Sequence, residues 1–397
     1  MTAQNTVELT VLMPCLNEAE TLARCIGKAH DGLQAAQVRG EVLIADNGSS
    51  DGSQAIAQAA GARVIHVSAR GYGAALRAGI DAADGRYVIM ADADDSYDWT
   101  QIAPFVEKLR GGAQLVMGTR LKGTILPGAM PPLHRWLGNP VLTSIGNLLF
   151  RTRVSDFHCG MRAFEREAVQ ALNLQTSGME FATEMVVKAS LHHLRMAEVP
   201  ITYHPDGRSR KPHLRTWRDG WRHLIFMLLL SPTWVFFVPG ALLVLIGVLG
   251  NALLLPGPLV IGGITFDVHT LLVANMSLIM GVQVIFLGIV GQVFTVTSGI
   301  LPETPTSRRF ARGELLSLGL AFGLALTLIS LYPILRSVEF WAETRFGPLD
   351  VQIVLRWLIP GLTLGALGME IFFGSFMLGL VNFAGLWRMA SKPPSSA

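Results

Sequence analysis

The chain has 397 residues, of which 50% are hydrophobic and only 15% are charged, and its mean hydropathy is +0.42. This composition is too apolar for an ordinary soluble enzyme. The formal net charge of +3 is small, which argues against nucleic acid as a partner.

The first half of the chain, residues 1 to about 225, alternates short apolar runs with amphipathic stretches. This order predicts a parallel sheet built from βαβ units. The first helix is expected to open at Asn17–Glu20 with a capping-type start. Its apolar residues share one face: Leu22, Cys25, Ile26 and Ala29. Strands are predicted at Val7–Met13, Glu41–Ala45, Arg63–His66, from Tyr87 to Ala91 and at Leu115–Arg120, and further helices at Ser53–Ala60, after Gly71 and near Thr100–Arg110.

The strand that begins at Tyr87 stops at a cluster of three carboxylates, Asp92, Asp94 and Asp95. The carboxyl end of a buried strand is where open α/β sheets bind ligands. Asp92 and Asp94 are hard oxygen donors that suit a Mg²⁺ or Mn²⁺ ion holding a nucleotide diphosphate. For an isolated D-x-D match, a solvated acidic turn is the alternative interpretation.

Four later segments approach or exceed the roughly 20 apolar residues that span a bilayer. They are Trp234–Leu255, Leu271–Val296, Leu315–Leu335 and Leu355–Phe383. The N-terminus, MTAQNTVELT, lacks the basic and apolar regions of a signal peptide, so the first half is expected to remain in the cytosol.

Basic residues in the connections predict the orientation of the four segments. The turn Pro256–Asp267 contains no Lys or Arg, which places it outside and both termini in the cytoplasm. The third connection opposes this orientation because it would carry three arginines outside, although three acidic residues accompany them. The residues that favour the orientation are Arg308, Arg309, Arg312, Arg388 and Lys392, and those of the third connection are Arg336, Arg345, Arg356, Glu339, Glu343 and Asp350.

Three motifs of the first half, taken together, carry a family resemblance. Met13-Pro-Cys-Leu-Asn-Glu18 matches P-x-x-N-E, Asp46-Asn-Gly-Ser49 is close to D-D-G-S, and Asp92-Ala-Asp94 matches D-x-D. Residues from about 8 to 230 resemble family 2 glycosyltransferases, specifically polyprenyl-phosphate sugar synthases of the dolichol-phosphate mannose or glucose synthase type. The resemblance implies an α/β GT-A domain with a Rossmann-like mixed sheet, followed by an α-helical transmembrane domain.

The resemblance also implies roles for individual residues. The residues implied in nucleotide-sugar binding are Pro14, Asn17, Glu18, Asp46, Asp92 and Ala93, and those implied in metal binding are Asp92 and Asp94. Asn47 stands where the family pattern has an aspartate, which leaves one contact open. Glu18 has an alternative role, because an acidic residue also favours a helix N-terminus.

The segment from Val154 to Phe164 is similar to the family's D-x-x-x-G-x-R-x-F pattern, which lies where donor and acceptor meet. Asp156 is a candidate general base, positioning group or structural cap, and His158 is a rival candidate. A phosphate monoester has a second pKa near ~6 and needs little help in losing a proton. An alcohol acceptor, by contrast, would need a base worth roughly 10²–10⁴ in rate.

A basic segment precedes the membrane region and resembles the loop of the synthases that closes over donor phosphates and grips the acceptor phosphate. It contains Arg208, Ser209, Arg210 and Lys211. Arg120, Arg208 and Lys211 are implied to neutralise phosphates during catalysis. The alternative is a positive flank attracted to anionic lipid headgroups. The next segment, Thr216–Leu230, has the pattern of an interfacial helix.

We therefore predict three parts: a cytosolic GT-A domain at 1–214, an interfacial amphipathic helix at 215–232 and four transmembrane helices at 233–390. The predicted reaction is the inverting, Mg²⁺- or Mn²⁺-dependent transfer of one sugar from a UDP- or GDP-sugar to undecaprenyl or dolichyl phosphate, on the cytoplasmic face of the membrane. The sequence leaves open the nucleotide, the sugar, the lipid chain length, the need for a base and the formation of a homo-oligomer.

Two other functions are compatible with parts of the pattern. A lipid or glycan hydroxyl could be the acceptor, although the missing Q-x-x-R-W signature favours a single transfer over processive synthesis. A lipid-linked-sugar flippase with an inactive cytosolic domain is the alternative from another class. The D-x-D motif and the basic segment argue against an inactive domain.

Overall fold

A computed structural model describes residues 7–209, 216–303, 314–348 and 350–390 of the chain. The chain divides into two units, Met1–Met227 and Leu228–Ala397. This boundary falls in the last turn of the helix Thr216–Leu229, which the sequence assigns to the membrane interface. The predicted domain limits at residues 214 and 232 stay predictions.

The first unit is built on a seven-stranded mixed sheet with the strand order β3-β2-β1-β4-β6-β5-β7. β6 runs antiparallel to both of its neighbours, and all other pairs are parallel. The strands are β1 Leu9–Cys15, β2 Gly40–Asp46, β3 Arg63–His66, β4 Tyr87–Met90, β5 Leu115–Ile125, β6 Arg162–Glu165 and β7 Met196–Tyr203. The mixed sheet confirms the α/β fold class that the resemblance implies, whereas the purely parallel sheet predicted from the order of the elements is wrong at β6.

Eight α-helices belong to the described part of this unit, and a π-helical turn, His134–Gly138, leads into the fifth. The helices are α1 Leu22–Ala35, α2 Ser53–Ala59, α3 Tyr72–Ala82, α4 Ala103–Arg110, α5 Asn139–Phe150, α6 Arg166–Gln170, α7 Phe181–Leu191 and α8 Thr216–Leu229.

Helix α1 confirms the predicted apolar face but not the predicted start. Its four predicted core residues, Leu22, Cys25, Ile26 and Ala29, are fully buried. The helix begins at Leu22, and Asn17 has a left-handed backbone with φ of 60°. The capping-type start at Asn17–Glu20 is therefore wrong, because a neighbouring loop takes the backbone N–H groups there.

The pairing of β1, β2 and β4 brings their carboxyl ends to one edge of the sheet. Cys15 lies opposite Asp46, and Leu12 lies opposite Met90. Strand β1 is almost completely buried between the two helical layers, which explains its continuous apolar sequence. The loops that follow these three strands are consequently neighbours.

The second unit contains four long helices and a short hairpin in its described part. The elements are α9 Val238–Leu254, preceded by a π-helical turn Thr233–Phe237, the hairpin strands β8 Leu259–Ile261 and β9 Ile264–Phe266, and the helices α10 Val268–Thr297, α11 Glu314–Glu343 and α12 Val351–Ala390. By length and composition, each helix is able to cross a membrane. The four spans are Thr233–Leu254, Val268–Thr297, Leu316–Glu343 and Val351–Phe383, and each overlaps a predicted segment.

Two arginines that opposed the predicted orientation lie in ion pairs. Arg356 pairs with Asp267 and also donates to the carbonyl oxygen of Leu254, at the end of α9. Arg336 pairs with Glu339 within α11. Because each positive charge is matched by a carboxylate, these residues contribute little net positive charge to their side of the membrane.

Small residues bring α11 and α12 close together, as is common between membrane helices. A Cβ atom at Gly368 would lie 2.6 Å from the backbone nitrogen of Thr327 and 2.8 Å from the carbonyl oxygen of Gly323. We expect Gly368→Leu to lower the thermal stability of the full-length protein in detergent, because overpacking costs about 1–3 kcal/mol. Ala366→Leu, at an exposed position of the same helix, is the control. Equal shifts in melting temperature for the two variants would contradict the expected close contact.

Candidate active site

The loops after β1 and β2 are joined by side chains of the second loop that accept backbone N–H groups of the first. This contact explains why the P-x-x-N-E motif forms a turn rather than a helix. The amide oxygen of Asn17 in turn accepts the backbone N–H of Ser50 at 2.8 Å. The other three bonds are Asn17 N to Ser49 Oγ, 2.9 Å, Glu18 N to Ser53 Oγ, 3.0 Å, and Ala19 N to Asp51 Oδ2, 2.9 Å.

Asp46, at the end of β2, is buried and holds the second loop in place. Its carboxylate accepts the backbone N–H of Gly48 at 3.2 Å and the side-chain amide of Gln54 at 2.6 Å. Pro14 lies opposite Ala45 in the strand register, one residue before the end of β1. The structure thus places Pro14, Asn17 and Asp46 at one edge of the sheet, and their contacts with a nucleotide stay predictions.

The D-x-D motif follows β4 directly and lies against the first loop. The carbonyl oxygen of Ala93 accepts the hydroxyl of Thr21 at 2.7 Å. Asp94 accepts the backbone N–H of Ser96 at 3.1 Å and its hydroxyl at 2.5 Å through Oδ1. Burial, followed by the negative charge of Asp94, raises the pKa of Asp92 to about 7. A cation between the two carboxylates would relieve this repulsion.

The third carboxylate of the cluster does not belong to this pair. Asp95 has a left-handed backbone with φ of 64° and pairs with Arg24 at 2.9 Å and Lys28 at 2.7 Å, both on α1. Within the described residues, no group of three or more His, Cys, Asp or Glu side chains is arranged to hold a metal ion. Asp92 and Asp94 fit Mg²⁺ or Mn²⁺ only together with oxygens from a diphosphate, which is how such sites are commonly completed.

Arg208 lies between acidic residues from three different segments. Its guanidinium donates to Asp94 Oδ2 at 2.7 Å, to Glu18 Oε1 at 3.1 Å and to Asp206 Oδ2 at 3.3 Å. The backbone N–H of Gly207 also donates to the carbonyl oxygen of Asp94 at 2.9 Å. Arg208 therefore supplies a positive charge beside the D-x-D motif, and Glu18 binds an arginine rather than capping a helix.

The rest of the basic segment is only partly described. Ser209 donates to both carboxylate oxygens of Glu20, from its backbone N–H at 2.7 Å and from its hydroxyl at 2.5 Å. Arg210 and Lys211, which the sequence assigns to the acceptor phosphate, lie outside the described residues.

Asp156 and Arg120 form a buried pair at the carboxyl half of β5. Asp156 is fully buried and accepts three bonds from Arg120, from Nε at 2.7 Å, from Nη2 at 2.8 Å and from the backbone N–H at 3.1 Å. Burial alone would raise the pKa of Asp156, but the charge and hydrogen bonds of Arg120 outweigh it, and the pKa is lowered. Arg120 therefore neutralises Asp156 here, and both carboxylate oxygens are engaged.

His158 is a weak candidate for a base. Its two ring nitrogens are buried and have no hydrogen-bond partner among the described residues. Burial lowers the pKa of His158 to about 3, with a further contribution from His223, whose ring centroid lies 5.0 Å away. An imidazole with so low a pKa binds protons poorly near neutral pH.

Two groups of residues at the first unit were not predicted from the sequence. The first is Tyr72, at the start of α3, where burial and then the negative charge of Asp92 raise the pKa of the hydroxyl. The second is an exposed apolar face on α5 and the turn before it, with Trp136 74% exposed and Leu148 57% exposed. The predicted apolar face of α8 is also exposed, with Trp217 at 77%. The period-3.6 pattern of residues 133–148 was the available signal for α5.

Known proteins resemble this chain over both halves. The models of glycosyl transferase family 2 and of the family 2 C-terminal transmembrane region match residues 10–172 and 289–382. The low-salt glycan biosynthesis hexosyltransferase Agl6 of Haloferax volcanii is 36% identical over 375 residues, which are 94% of this chain and 88% of that protein. A dolichyl-phosphate hexose transferase of the same organism is 32% identical over 51% of this chain and 86% of its own length.

Solved structures also resemble part of this chain. Glucosyl-3-phosphoglycerate synthase from Mycobacterium tuberculosis, solved with Mn²⁺, UDP and glucosyl-3-phosphoglycerate, is 22% identical with a TM-score of 0.46. The alignment covers 57% of this chain and 80% of that protein.

Proposed function

This chain belongs to glycosyltransferase family 2, and we propose that it transfers one hexose from a UDP- or GDP-sugar to a polyprenyl phosphate, with inversion at the anomeric carbon. In this reaction a phosphate oxygen of the lipid bonds to the anomeric carbon while the bond from that carbon to the diphosphate breaks. The relative named as a dolichyl-phosphate hexose transferase supports this class of acceptor.

The observation that carries the proposal is the ion pair that Asp156 forms with Arg120. Both of its carboxylate oxygens accept bonds from Arg120, and the lowered pKa makes it a poor proton acceptor. His158 is no better, because its pKa is about 3. A hydroxyl acceptor would need a base, and these two groups are the candidates that the sequence offers, whereas a phosphate acceptor is already largely ionised at neutral pH. This comparison favours a phosphate acceptor.

The donor side of the proposal rests on Asp92 and Asp94. The negative charges of Asp92 and Asp94 would repel the diphosphate of a nucleotide sugar unless a cation lay between these carboxylates and the diphosphate. A bound Mg²⁺ or Mn²⁺ would supply that charge and stabilise the leaving diphosphate. Arg208 already contacts Asp94, so it is placed to neutralise phosphate oxygens once it is released from the carboxylate.

The membrane placement rests on exposed aromatic residues and on the four apolar helices. Trp217 and Trp221 on α8, with Trp136 before α5, are 77%, 64% and 74% exposed. Tryptophan favours the interface between headgroups and acyl chains. We place these faces on the cytoplasmic leaflet, where a lipid phosphate would be presented at headgroup depth, with both chain termini on the same side.

The test is release of nucleoside diphosphate from UDP- and GDP-sugars by the full-length protein in detergent, with Mn²⁺ or Mg²⁺, with and without undecaprenyl phosphate. We expect release to require both the cation and the lipid phosphate, and to yield a glycosylated lipid phosphate. Release that proceeds equally without the lipid, or with a diacylglycerol in its place, would reject the phosphate acceptor. Turnover in detergent would also leave no role for translocation in the measured activity.

A further inference from the structure

The segment that carries Arg208 is joined to the D-x-D turn by backbone hydrogen bonds. The backbone N–H of His204 donates to the carbonyl oxygen of Ser96 at 2.9 Å, and that of Gly207 donates to the carbonyl oxygen of Asp94 at 2.9 Å. Consecutive Cα atoms of a chain lie only about 3.8 Å apart. The bond at Gly207 therefore brings the next residue, Arg208, beside the Asp94 side chain, to which its guanidinium donates at 2.7 Å.

Two tyrosines fix the start of this segment. Tyr97, three residues after Asp94, forms an antiparallel bridge with Tyr203, the last residue of β7. Their rings pack edge to face with centroids 5.2 Å apart, a favourable arrangement for aromatic pairs. Tyr203 also pairs with Ile125, the last residue of β5. The start of the segment is thus bound both to the sheet and to the D-x-D turn.

The hydroxyl of Tyr97 is held by a third part of the chain. It accepts the backbone N–H of Gly160 at 2.8 Å, in the stretch that precedes β6, and Tyr97 is only 2% exposed. A Cβ atom at Gly160 would lie 2.8 Å from the same hydroxyl oxygen, so the close approach requires a glycine. The Tyr97 ring is therefore fixed at both ends, by Gly160 at its hydroxyl and by the D-x-D turn at its backbone.

These contacts determine which part of the segment can move. The backbone on either side of the turn is bound at three points, the bridge at Tyr203 and the bonds at His204 and Gly207. The Arg208 side chain extends from this fixed backbone. A change of partner from a carboxylate to a phosphate then needs only rotation of the side chain, without displacement of the segment.

We propose that Tyr97 is a positioning residue, which anchors residues 203–207 to the D-x-D turn and thereby sets the place from which Arg208 reaches the diphosphate of the donor. This inference rests on the proposed function, because it assumes that Arg208 neutralises phosphate oxygens of a nucleotide sugar.

The test is the affinity of the full-length protein in detergent for UDP, and separately for GDP, at saturating Mn²⁺, measured by isothermal titration calorimetry. We expect Tyr97→Phe to weaken the binding of at least one nucleotide by about three- to tenfold, because the N–H of Gly160 loses its acceptor. Tyr203→Leu, which removes the ring contact and keeps the Tyr97 hydroxyl, should act in the same direction. Arg208→Ala should weaken binding of the same nucleotide by about tenfold or more. In the Arg208→Ala background, Tyr97→Phe should add less than about a twofold change, because both residues act through one guanidinium.

The control is Thr143→Val, which removes the acceptor of another buried N–H in the stretch before β6, that of Phe157 at 3.2 Å, from the side of α5. It should lower the melting temperature about as much as Tyr97→Phe does and leave nucleotide affinity unchanged. Equal losses of affinity in these two variants, no loss for Tyr97→Phe, or a loss that adds fully to that of Arg208→Ala would overturn the positioning role alone. If Arg208→Ala itself left the affinity for both nucleotides unchanged, the role of Arg208 in the proposed function would fall, and the positioning role with it.

Discussion

Replacing Asp94 with asparagine is expected to lower turnover by about 10²–10³-fold, the loss typical of removing one fixed charge at a reacting centre. The physical reason is that Asp94 is one of only two carboxylates that the described D-x-D turn offers to a cation. Asparagine keeps the shape and the bond from Ser96 but removes the negative charge. The measurement is the rate of nucleoside diphosphate release in the presence of Mn²⁺ and undecaprenyl phosphate.

Asp206→Asn is the matched control, since Asp206 contacts the same guanidinium of Arg208, at 3.3 Å, from outside the D-x-D motif. Its side chain is 34% exposed, compared with 9% for Asp94. We expect less than about a tenfold loss for this variant, as for a partly exposed ion pair. Similar losses in the two variants would show that Asp94 acts by holding Arg208 rather than by binding a cation.

The contact between Asp94 and Arg208 has a consequence for the order of events. If a cation bound the same oxygen of Asp94, Oδ2, it would weaken the pair with Arg208 at 2.7 Å. The guanidinium would then become available to phosphate oxygens. Arg208 would in this way change partners when the donor arrives, from the carboxylates of the protein to the phosphates of the substrate.

The sequence predicted well what depends on local patterns. Continuous apolar runs identified β1, β2 and β4 because buried parallel strands need no polar face. The 3.6-residue period placed Leu22, Cys25, Ile26 and Ala29 in the core, and length and hydropathy located the four membrane helices. The D-x-D motif was identified by its position after a strand.

What the sequence did not predict depends on contacts between distant segments. The turn at Asn17 exists because Ser49, Asp51 and Ser53 accept its neighbouring N–H groups, and nothing near Asn17 in the chain shows this. Asp95 looked like part of the carboxylate cluster, but a positive φ turns it toward α1. Arg120 and Asp156 are 36 residues apart in the chain, so their pairing could not be predicted from the sequence either.

Replacing Asp156 with asparagine is expected to destabilise the first unit by about 3–5 kcal/mol, because it leaves the Arg120 charge buried without its partner. The side chains of the pair are 0% and 9% exposed, so solvent cannot compensate for the loss. Thermal unfolding of the full-length protein in detergent measures the effect. Asp156→Asn combined with Arg120→Met should recover most of the stability, since an apolar side chain of similar size needs no counter-charge.

The pH dependence separates this structural role from a catalytic one. The pKa of Asp156 is lowered in the folded protein, so the pair stabilises above the ordinary carboxyl pKa of 3.8 and is lost as the pH falls through the lower folded value. Asp156→Asn should therefore remove part of the acid-side loss of stability. If Asp156 were instead a general base, the Asp156→Asn variant would unfold at the wild-type temperature, bind the donor normally and lose turnover. That result would contradict the ion-pair role and favour a hydroxyl acceptor.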